Sequence, residues 1–556
     1  MTTPDTLTET PDLGGAYPRL TDADIAELDR YGERRPTAEG EVLIREGEHP
    51  PAFFVITDGL VEVIDGYGTS DERRLGVHGP GRFLGELALV IGQPAFVTSV
   101  VRRAGEVLAV PVERLHEVAV RDAKLADVVT RAYLARREML IELGAGLRII
   151  GSRFSPDTRR LRDFAARNRV PHRWVDLERD PAARTLLTEL GIGPEDTPVV
   201  VWSGAKVLRN PSNEELAGEI GLPVPGAIDT DADLLVVGAG PAGLAASVYG
   251  ASEGLRTVTL DSTAAGGQAA TSSRIENYLG FPAGISGAEL AERAVVQAEK
   301  FGAQISVPGE AVGLGQEEGF QVVRLADGRT LRARTVLIVT GARYRRLDVP
   351  GMDRLEDASV YYAATDIEAQ QCAPDPVAVV GGGNSGGQAA AFLADHVARV
   401  HLVIREPEIT ANMSYYLADR IARNPKIEVL TNTEVAELVG DPVLEAVVVT
   451  DRQTGESRTL DARSLFVFIG AKPHAAWVGD EVALDENGFV RTGPDAIGNG
   501  RAELWRTLGR EPLLLETSQP GVFAAGDVRS GSVKRVASAV GEGSMAVRLV
   551  HEYLMA

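Results

Sequence analysis

The chain has 556 residues, 44% of them hydrophobic and 24% charged: too long for one core, and of ordinary soluble globular composition. A formal net charge of -22 argues against a nucleic-acid surface, and a single cysteine, Cys372, excludes an intramolecular disulfide or a cysteine-built zinc site. No stretch approaches the ~18 consecutive apolar residues of a membrane helix, and the histidines show no HExxH-type spacing, so neither membrane nor metal is expected.

Residues 1–17 open polar and acidic, with neither a basic start nor an apolar core segment, and are expected to be a disordered tail on a cytoplasmic protein. Over residues 18–145, "AEGEVLIREGEHPPAFFVITDGLVEVI" sets Gly40, Gly47 and Gly59 at turns between apolar stretches, the pattern of a small β-roll. An amphipathic helix from Asp127 to Leu143 closes it. Residues 146–222 alternate strand "LRIIG", helix "TRRLRDFAARN", strand "HRWVDL", helix "AARTLLTELG", hairpin "TPVVVWSGAKVL" and helix "NEELAGEIG", an α/β layer. A linker over 223–231 leads into two glycine-rich strand–turn–helix units about 140 residues apart.

In the first unit, "LLVVGAGPAGLAA" places Gly238, Gly240 and Gly243 after an apolar strand, with Pro241 opening a helix. The first glycine turns the chain, the second admits a pyrophosphate against the backbone, and the third lets helix meet strand. The helix N-terminus offers N–H groups to the phosphates, and Asp261, 18 residues past Gly243, is placed for a ribose hydroxyl. "AAGGQ", "IENYLGFP", "VTGARYRRLDVPG" and "GVFAAGDVRSGSVKRVASAVGEGSMA" follow in order. With these motifs, residues 232–556 resemble the low-molecular-weight thioredoxin reductases of the two-dinucleotide-fold flavoproteins. The resemblance implies FAD held by residues 232–347 and 478–556, with Asp527 on the ribitol. It also carries Gly267, Gln268, Asn277, Thr340, Gly341, Lys534, Arg535 and Val536 onto FAD-contacting positions.

The second unit sets Gly381, Gly383 and Gly386 after "VAVV". By the same resemblance, residues 348–477 bind NADPH or NADH, with Asn384 and Ser385 in the turn. "GNSGG" also fits the nucleophile elbow of α/β-hydrolases, which would make Ser385 a nucleophile, but the same glycines already serve a dinucleotide turn. NADPH-using relatives follow the next strand with HRRxxxR. Here Arg405 remains, while Glu406 and Thr410 stand at the second and third arginine positions. A carboxylate ~4 Å from a phosphate charge costs about 1–4 kcal/mol, so NADPH and NADH both stay open.

The family's redox-active Cys-x-x-Cys would fall at Ala363 to Asp366. Cys372 lies nine residues before Gly381 and reads either as a small buried hydrophobe or as a lone reactive thiol. Residues 146–222 resemble a thioredoxin or glutaredoxin domain in which Ser155-Pro156-Asp157-Thr158 replaces Cys-Pro-x-Cys, with Pro198 at the cis-proline position. A hydroxyl cannot exchange disulfides. "GRFLGELALVIGQPAFVTSVV" resembles the phosphate cassette of cyclic-nucleotide-binding domains, with Gly85 and Glu86 at the ribose position. Ala95 stands where that family has its phosphate-binding arginine, leaving Arg102 or Arg103 as substitutes and a cyclic nucleotide as an open ligand.

The expected fold is multidomain α/β: two Rossmann-like three-layer dinucleotide-binding domains preceded by a β-roll and a thioredoxin-like α/β domain. The expected activity passes hydride from NAD(P)H to FAD and electrons onward to an unidentified acceptor other than an internal disulfide, in a homodimer. The alternatives are a thioredoxin-disulfide reductase using Cys372 or a partner's thiols, and a non-catalytic flavin or cyclic-nucleotide sensor. No catalytic side chain is assigned beyond Cys372 as a candidate.

Overall fold

Side chains over Phe53 to Ile56, the first residues of the strand Phe53–Asp65, alternate between two cores, as a pleated strand requires when both faces are covered. Phe53 and Val55 join Leu108, Leu115 and Val129 on one side, while Phe54 and Ile56 join Leu43, Leu84 and Val107 on the other. In this computed structural model the strand sits in an antiparallel roll ordered Glu33–Thr37, Thr98–Val110, Phe53–Asp65, Arg73–His78. Residues 7–69, 71–86, 92–180, 183, 187, 191–193, 196–202, 206–223, 231–272, 274–362, 364, 366–497 and 502–555 are described. The chain forms two compact units, 1–227 with 306–308, and 228–305 with 309–556.

In the first unit the roll is closed by two helices, Val112–Arg121 and Ala123–Glu142. Asp122 separates them, its carboxylate accepting from the backbone N–H of Lys124 and Leu125 at 3.0 Å each. The single helix expected from Asp127 therefore starts four residues earlier, at a cap. The start of the chain also differs from expectation. Thr10 donates its N–H to the Val77 carbonyl (3.0 Å), Glu9 pairs with the buried Arg82 (3.1 Å), and Tyr17 is 3% exposed. An acidic segment is thus drawn onto the roll by a cation that the roll itself buries, and residues 9–17 are not a free tail.

The α/β layer of the same unit has strand order Lys206–Arg209, Val199–Trp202, Leu147–Gly151, His172–Asp176. Leu147–Gly151 runs parallel to His172–Asp176 and antiparallel to Val199–Trp202. Helix Pro156–Arg167 starts at Ser155, whose hydroxyl accepts from the Thr158 N–H at 3.3 Å, and the Thr197–Pro198 peptide is cis. Most of the helix expected over "AARTLLTELG" and of the linker over 223–231 lies outside the described residues. Asp231, assigned to that linker, already begins a strand.

In the second unit, Asp231–Val237 lies between the parallel strands Thr257–Leu260 and Thr330–Ile338 of a seven-stranded sheet, with Val522–Ala524 beside Thr330–Ile338. The apolar runs of these strands are buried on both faces, which is why they read as continuous rather than alternating. A second, five-stranded parallel sheet is ordered Val360–Tyr361, Ser464–Val467, Val377–Val380, Val400–Val403, Ile427–Leu430, and a three-stranded antiparallel sheet follows Ile427–Leu430 in the chain. Paired strands Ala342–Tyr344 and Ala471–Pro473 join the two halves. Among the described residues no helix is long and apolar enough to cross a membrane.

Candidate functional site

The first glycine turn stands where strand Asp231–Val237 passes into helix Pro241–Ser252. Gly238 adopts φ 113°, a left-handed conformation that L side chains resist, and donates its N–H to the Leu260 carbonyl at 2.7 Å. A Cβ on Gly243 would collide with the Gly238 carbonyl oxygen, so the helix seats on the turn only because that position is bare. The loop after the second strand returns to the same place. Gly266 donates to the Ala239 carbonyl at 2.7 Å, and a Cβ on Gly267 would come within 2.9 Å of the Gly240 Cα. Gly240 and Gly267 thus face each other without side chains and leave a backbone-walled cradle above the helix N-terminus, the shape a pyrophosphate needs.

Asp261, Gln268 and Thr340, all expected to hold FAD, adjoin that cradle. Asp261 accepts from the Ala239 N–H at 2.9 Å through one carboxylate oxygen and from Thr263 and Ala264 through the other. Gln268 donates its side-chain amide to the Ala342 carbonyl, and the Thr340 hydroxyl donates to the His474 carbonyl at 2.5 Å. The Gly341 carbonyl accepts from the His474 N–H at 3.0 Å. Asn277 is exposed, in the segment pinned at Ile275 and Ile285.

Asp527 follows strand Val522–Ala524, inside a short turn of helix, and burial pushes its carboxyl above the ordinary aspartate range, Lys534 partly opposing. Among the described residues nothing donates a hydrogen bond to its carboxylate oxygens. It is a withdrawn acceptor without a donor, which fits the hydroxyls of a ribitol chain. Lys534 donates to the Asp527 backbone carbonyl at 2.9 Å and lies over the Phe489 ring at 4.4 Å. Arg535 is exposed, and Val536 is the first residue of the C-terminal helix Val536–Met555.

Two supports of this half went unread in the sequence. Glu542 accepts from the Gly526 N–H at 2.7 Å and pairs with Arg529 at 2.5 Å, fixing the turn that carries Asp527. Gly543 lets the C-terminal helix lie on helix Pro241–Ser252, since a Cβ there would strike the Ala242 carbonyl oxygen. Helical spacing in "AVGEGSMA" was the available signal for Gly543; the Glu542 contacts have no local signature.

The second glycine turn joins strand Val377–Val380 to helix Asn384–Leu393. Gly381 lies against the Phe468 carbonyl, Gly386 against the Gly381 carbonyl, and a Cβ on Gly383 would meet nothing within 4 Å. The open side of the turn is therefore at Gly383, where a phosphate would approach. Asn384 fixes the far side by accepting from the Ser414 N–H at 2.8 Å. Ser385 is exposed, and among the described residues no histidine contacts it, which leaves a nucleophile without a base. Arg405 is exposed. The Glu406 carboxylate reaches back over the turn.

Cys372 ends the helix Asp366–Cys372 in the core of the second sheet, 3% exposed, with its thiol donating to the Ser464 hydroxyl at 3.1 Å. Where the family's cysteine pair would fall, Ala363 and Thr365 lie outside the described residues. Ala364 between them is bridged to Ser272, directly after the turn Gly267–Thr271.

In the roll, Gly85 adopts φ 93° and Glu86 lines a cavity of about 60 Å³ with Tyr17, His78, Ala95, Arg136 and mainly aliphatic neighbours. Glu86 is 4% exposed, and its carboxylate pairs with Arg136 at 2.7 Å. Arg102 pairs with Glu62 at 2.5 Å and Arg103 reaches the Gly59 carbonyl at 3.4 Å, and neither is among the residues lining the cavity beside Glu86.

A family model for pyridine nucleotide-disulphide oxidoreductases matches residues 232–543, and one for the cyclic nucleotide-binding domain matches 34–122. The chain is similar to a thioredoxin reductase of Mycolicibacterium smegmatis, 34% identical over 314 residues, or 56% of this chain and 94% of that one. It is also similar to a thioredoxin reductase of Treponema pallidum, 32% identical over 59% of this chain and 98% of the relative. Among solved structures, the thioredoxin reductase of T. acidophilum superposes with TM-score 0.53 at 31% identity, covering 59% of this chain and 100% of that one. That of Lactococcus lactis gives 0.52 at 26% identity over 58% and 99%.

Proposed function

This chain belongs to the pyridine nucleotide-disulphide oxidoreductase family, and from that premise we propose that it oxidises NAD(P)H through FAD and reduces an acceptor other than a disulfide of its own. It is thioredoxin-reductase-like over residues 232–543, with a cyclic-nucleotide-binding roll in front. FAD, when bound, supplies an acceptor for hydride from the nicotinamide and a donor of electrons to the second substrate.

The chain's own residues bind and orient. Gly240 and Gly267 take the pyrophosphate of FAD against bare backbone, Asp261 takes its adenosine ribose, and Asp527 its ribitol. Gly383 and the N-terminus of helix Asn384–Leu393 take the pyrophosphate of the nicotinamide dinucleotide. No side chain need move a proton for hydride to be delivered.

One observation carries the choice of acceptor: the chain has a single thiol. An internal relay needs two sulfurs that alternate between dithiol and disulfide. Cys372 has no second thiol to pair with and is buried against Ser464. The serine and threonine of "SPDT" in the thioredoxin-like domain carry hydroxyls, so that domain relays no electrons either. The overall reaction is NAD(P)H plus a proton plus oxidised acceptor to NAD(P)+ and reduced acceptor. The acceptor is a quinone, dioxygen, a one-electron carrier or an external disulfide.

The test is stopped-flow reduction of the flavin under argon followed by mixing with each acceptor. The reading expects bleaching near 450 nm by a nicotinamide dinucleotide and rapid return with one acceptor class, unchanged in Cys372→Ala. A flavin that neither NADH nor NADPH reduces, or return that vanishes in Cys372→Ala, would defeat it.

A further inference from the structure

We propose that Glu406 makes the second dinucleotide site select NADH over NADPH. The inference rests on reading that site as the nicotinamide site and names its substrate more closely. Glu406 lies just past strand Val400–Val403, 20 residues beyond Gly386, where a dinucleotide fold carries the group that meets the adenosine ribose. An acid there accepts from a free 2′-hydroxyl; a 2′-phosphate needs a cation.

The side chain is aimed and held. Its Oε2 is 2.9 Å from where a Cβ on Gly382 would stand, so the half-buried carboxylate leans over the glycine turn. Its Oε1 accepts from the Asn412 side-chain amide at 3.1 Å, and the Asn412 backbone is itself bridged to Gly383 of the turn. The Glu406 carbonyl accepts from the Asn432 N–H at 3.0 Å, which fixes the backbone.

Arg405 does not pair with this carboxylate. Ile404 also reaches Gly382, its Cγ2 2.8 Å from the same Cβ position. The strand ends at Val403 and the chain bends through Arg405 and Glu406, and among the described residues no ion pair joins these two side chains. Arg405 is exposed.

The first glycine turn also has an acid beside it, directly after its strand where Glu406 stands three residues past its own. Asp261, 18 residues past Gly243, sets its Oδ2 2.9 Å from the Ala239 N–H within the turn, and the adenosine of FAD has a free 2′-hydroxyl. Both turns of this chain thus carry an acid suited to an unphosphorylated ribose. A 2′-phosphate in the second would set its negative charges against a fixed carboxylate at contact distance.

The experiment titrates the FAD-loaded protein by calorimetry with ADP-ribose and with its 2′-phosphate, and in parallel measures the NADH and NADPH concentrations that half-saturate anaerobic flavin reduction. The inference expects the unphosphorylated ligand to bind at least about tenfold tighter in both assays. Glu406→Gln should narrow that ratio mainly by improving the phosphorylated ligand, and Glu406→Arg should invert it. Equal or tighter binding of the 2′-phosphate by the parent protein would overturn it. So would an unchanged ratio in Glu406→Gln with an unaltered unfolding temperature. If neither fragment binds and neither dinucleotide reduces the flavin, the nicotinamide reading fails and this inference with it; a preference for NADPH sinks the inference alone.

Discussion

Glu86 and Asp527 are both carboxylates withdrawn from water, and they differ in what answers them. Glu86 faces Arg136, itself 6% exposed, at 2.7 Å, so removing the acid leaves a buried guanidinium without its counter-charge, hydrogen-bonded among the described residues only to the Ala16 and Phe83 carbonyls. Breaking one side of such a pair costs about 3–5 kcal/mol, and Glu86→Ala should lower the unfolding free energy of the roll by that much in denaturant titrations. The same pairing bears on the ligand: a ribose hydroxyl would have to compete with Arg136 for Glu86, and Ala95 offers nothing to a cyclic phosphate. Asp527 has no such partner, and its expected donor is the ribitol. A hydrogen bond to a charged group contributes about 1.5–3 kcal/mol, so Asp527→Ala should weaken FAD binding roughly ten- to hundredfold, read from flavin released on ultrafiltration.

Among the elements, the two strand–glycine–helix units are the most demanding geometry in the chain. Adding a methyl at Gly243 drives it into the Gly238 carbonyl oxygen, backbone against backbone, with no flexible side chain to yield. Gly243→Ala should therefore emerge as colourless apoprotein, while Gly218→Ala, in helix Asn213–Glu219 with open space and an ordinary φ, should keep its flavin. These units could be read from residue spacing alone because Gly238, Gly243, Gly381 and Gly386 answer local steric demands, while Gly240 and Gly383 leave backbone open.

Other features could not be read so. Glu9 meets Arg82, 73 positions away, and a stretch of Thr, Glu and Asp gives no local sign that the roll holds a buried cation for it. Glu542 gathers Gly526 and Arg529 across 16 and 13 positions, again without a periodic trace. The break before Ala123 was legible in principle, since Asp122 is a standard N-cap residue. The apolar periodicity that begins at Asp127 drew the boundary later.

Across the whole chain, the first unit hides two imidazoles, His78 and His172, each with its pKa held below the ordinary 6.5 by burial. For His78 the neighbouring Arg136 and Arg82 add to that effect, and for His172 the Arg162 guanidinium does while the Val170 carbonyl opposes it. The unfolded chain takes up protons near pH 6.5 that the folded chain refuses. Stability is therefore complete above that pH and is lost as pH falls below it, by at most about 1.4 kcal/mol per pH unit for each group. Hydrogen exchange in strands Arg73–His78 and His172–Asp176 should quicken between pH 7.5 and 5.5 beyond the intrinsic exchange trend. His78→Gln with His172→Gln should flatten that excess.

The account as a whole turns on where electrons reside after the nicotinamide has given them up. Anaerobic titration of the FAD-loaded protein with dithionite, followed by absorbance, counts them directly. Full reduction at two electrons per flavin, identical in the parent and in Cys372→Ala, is the predicted result. Uptake of four electrons per flavin, or a charge-transfer band at long wavelength that disappears in Cys372→Ala, would contradict it.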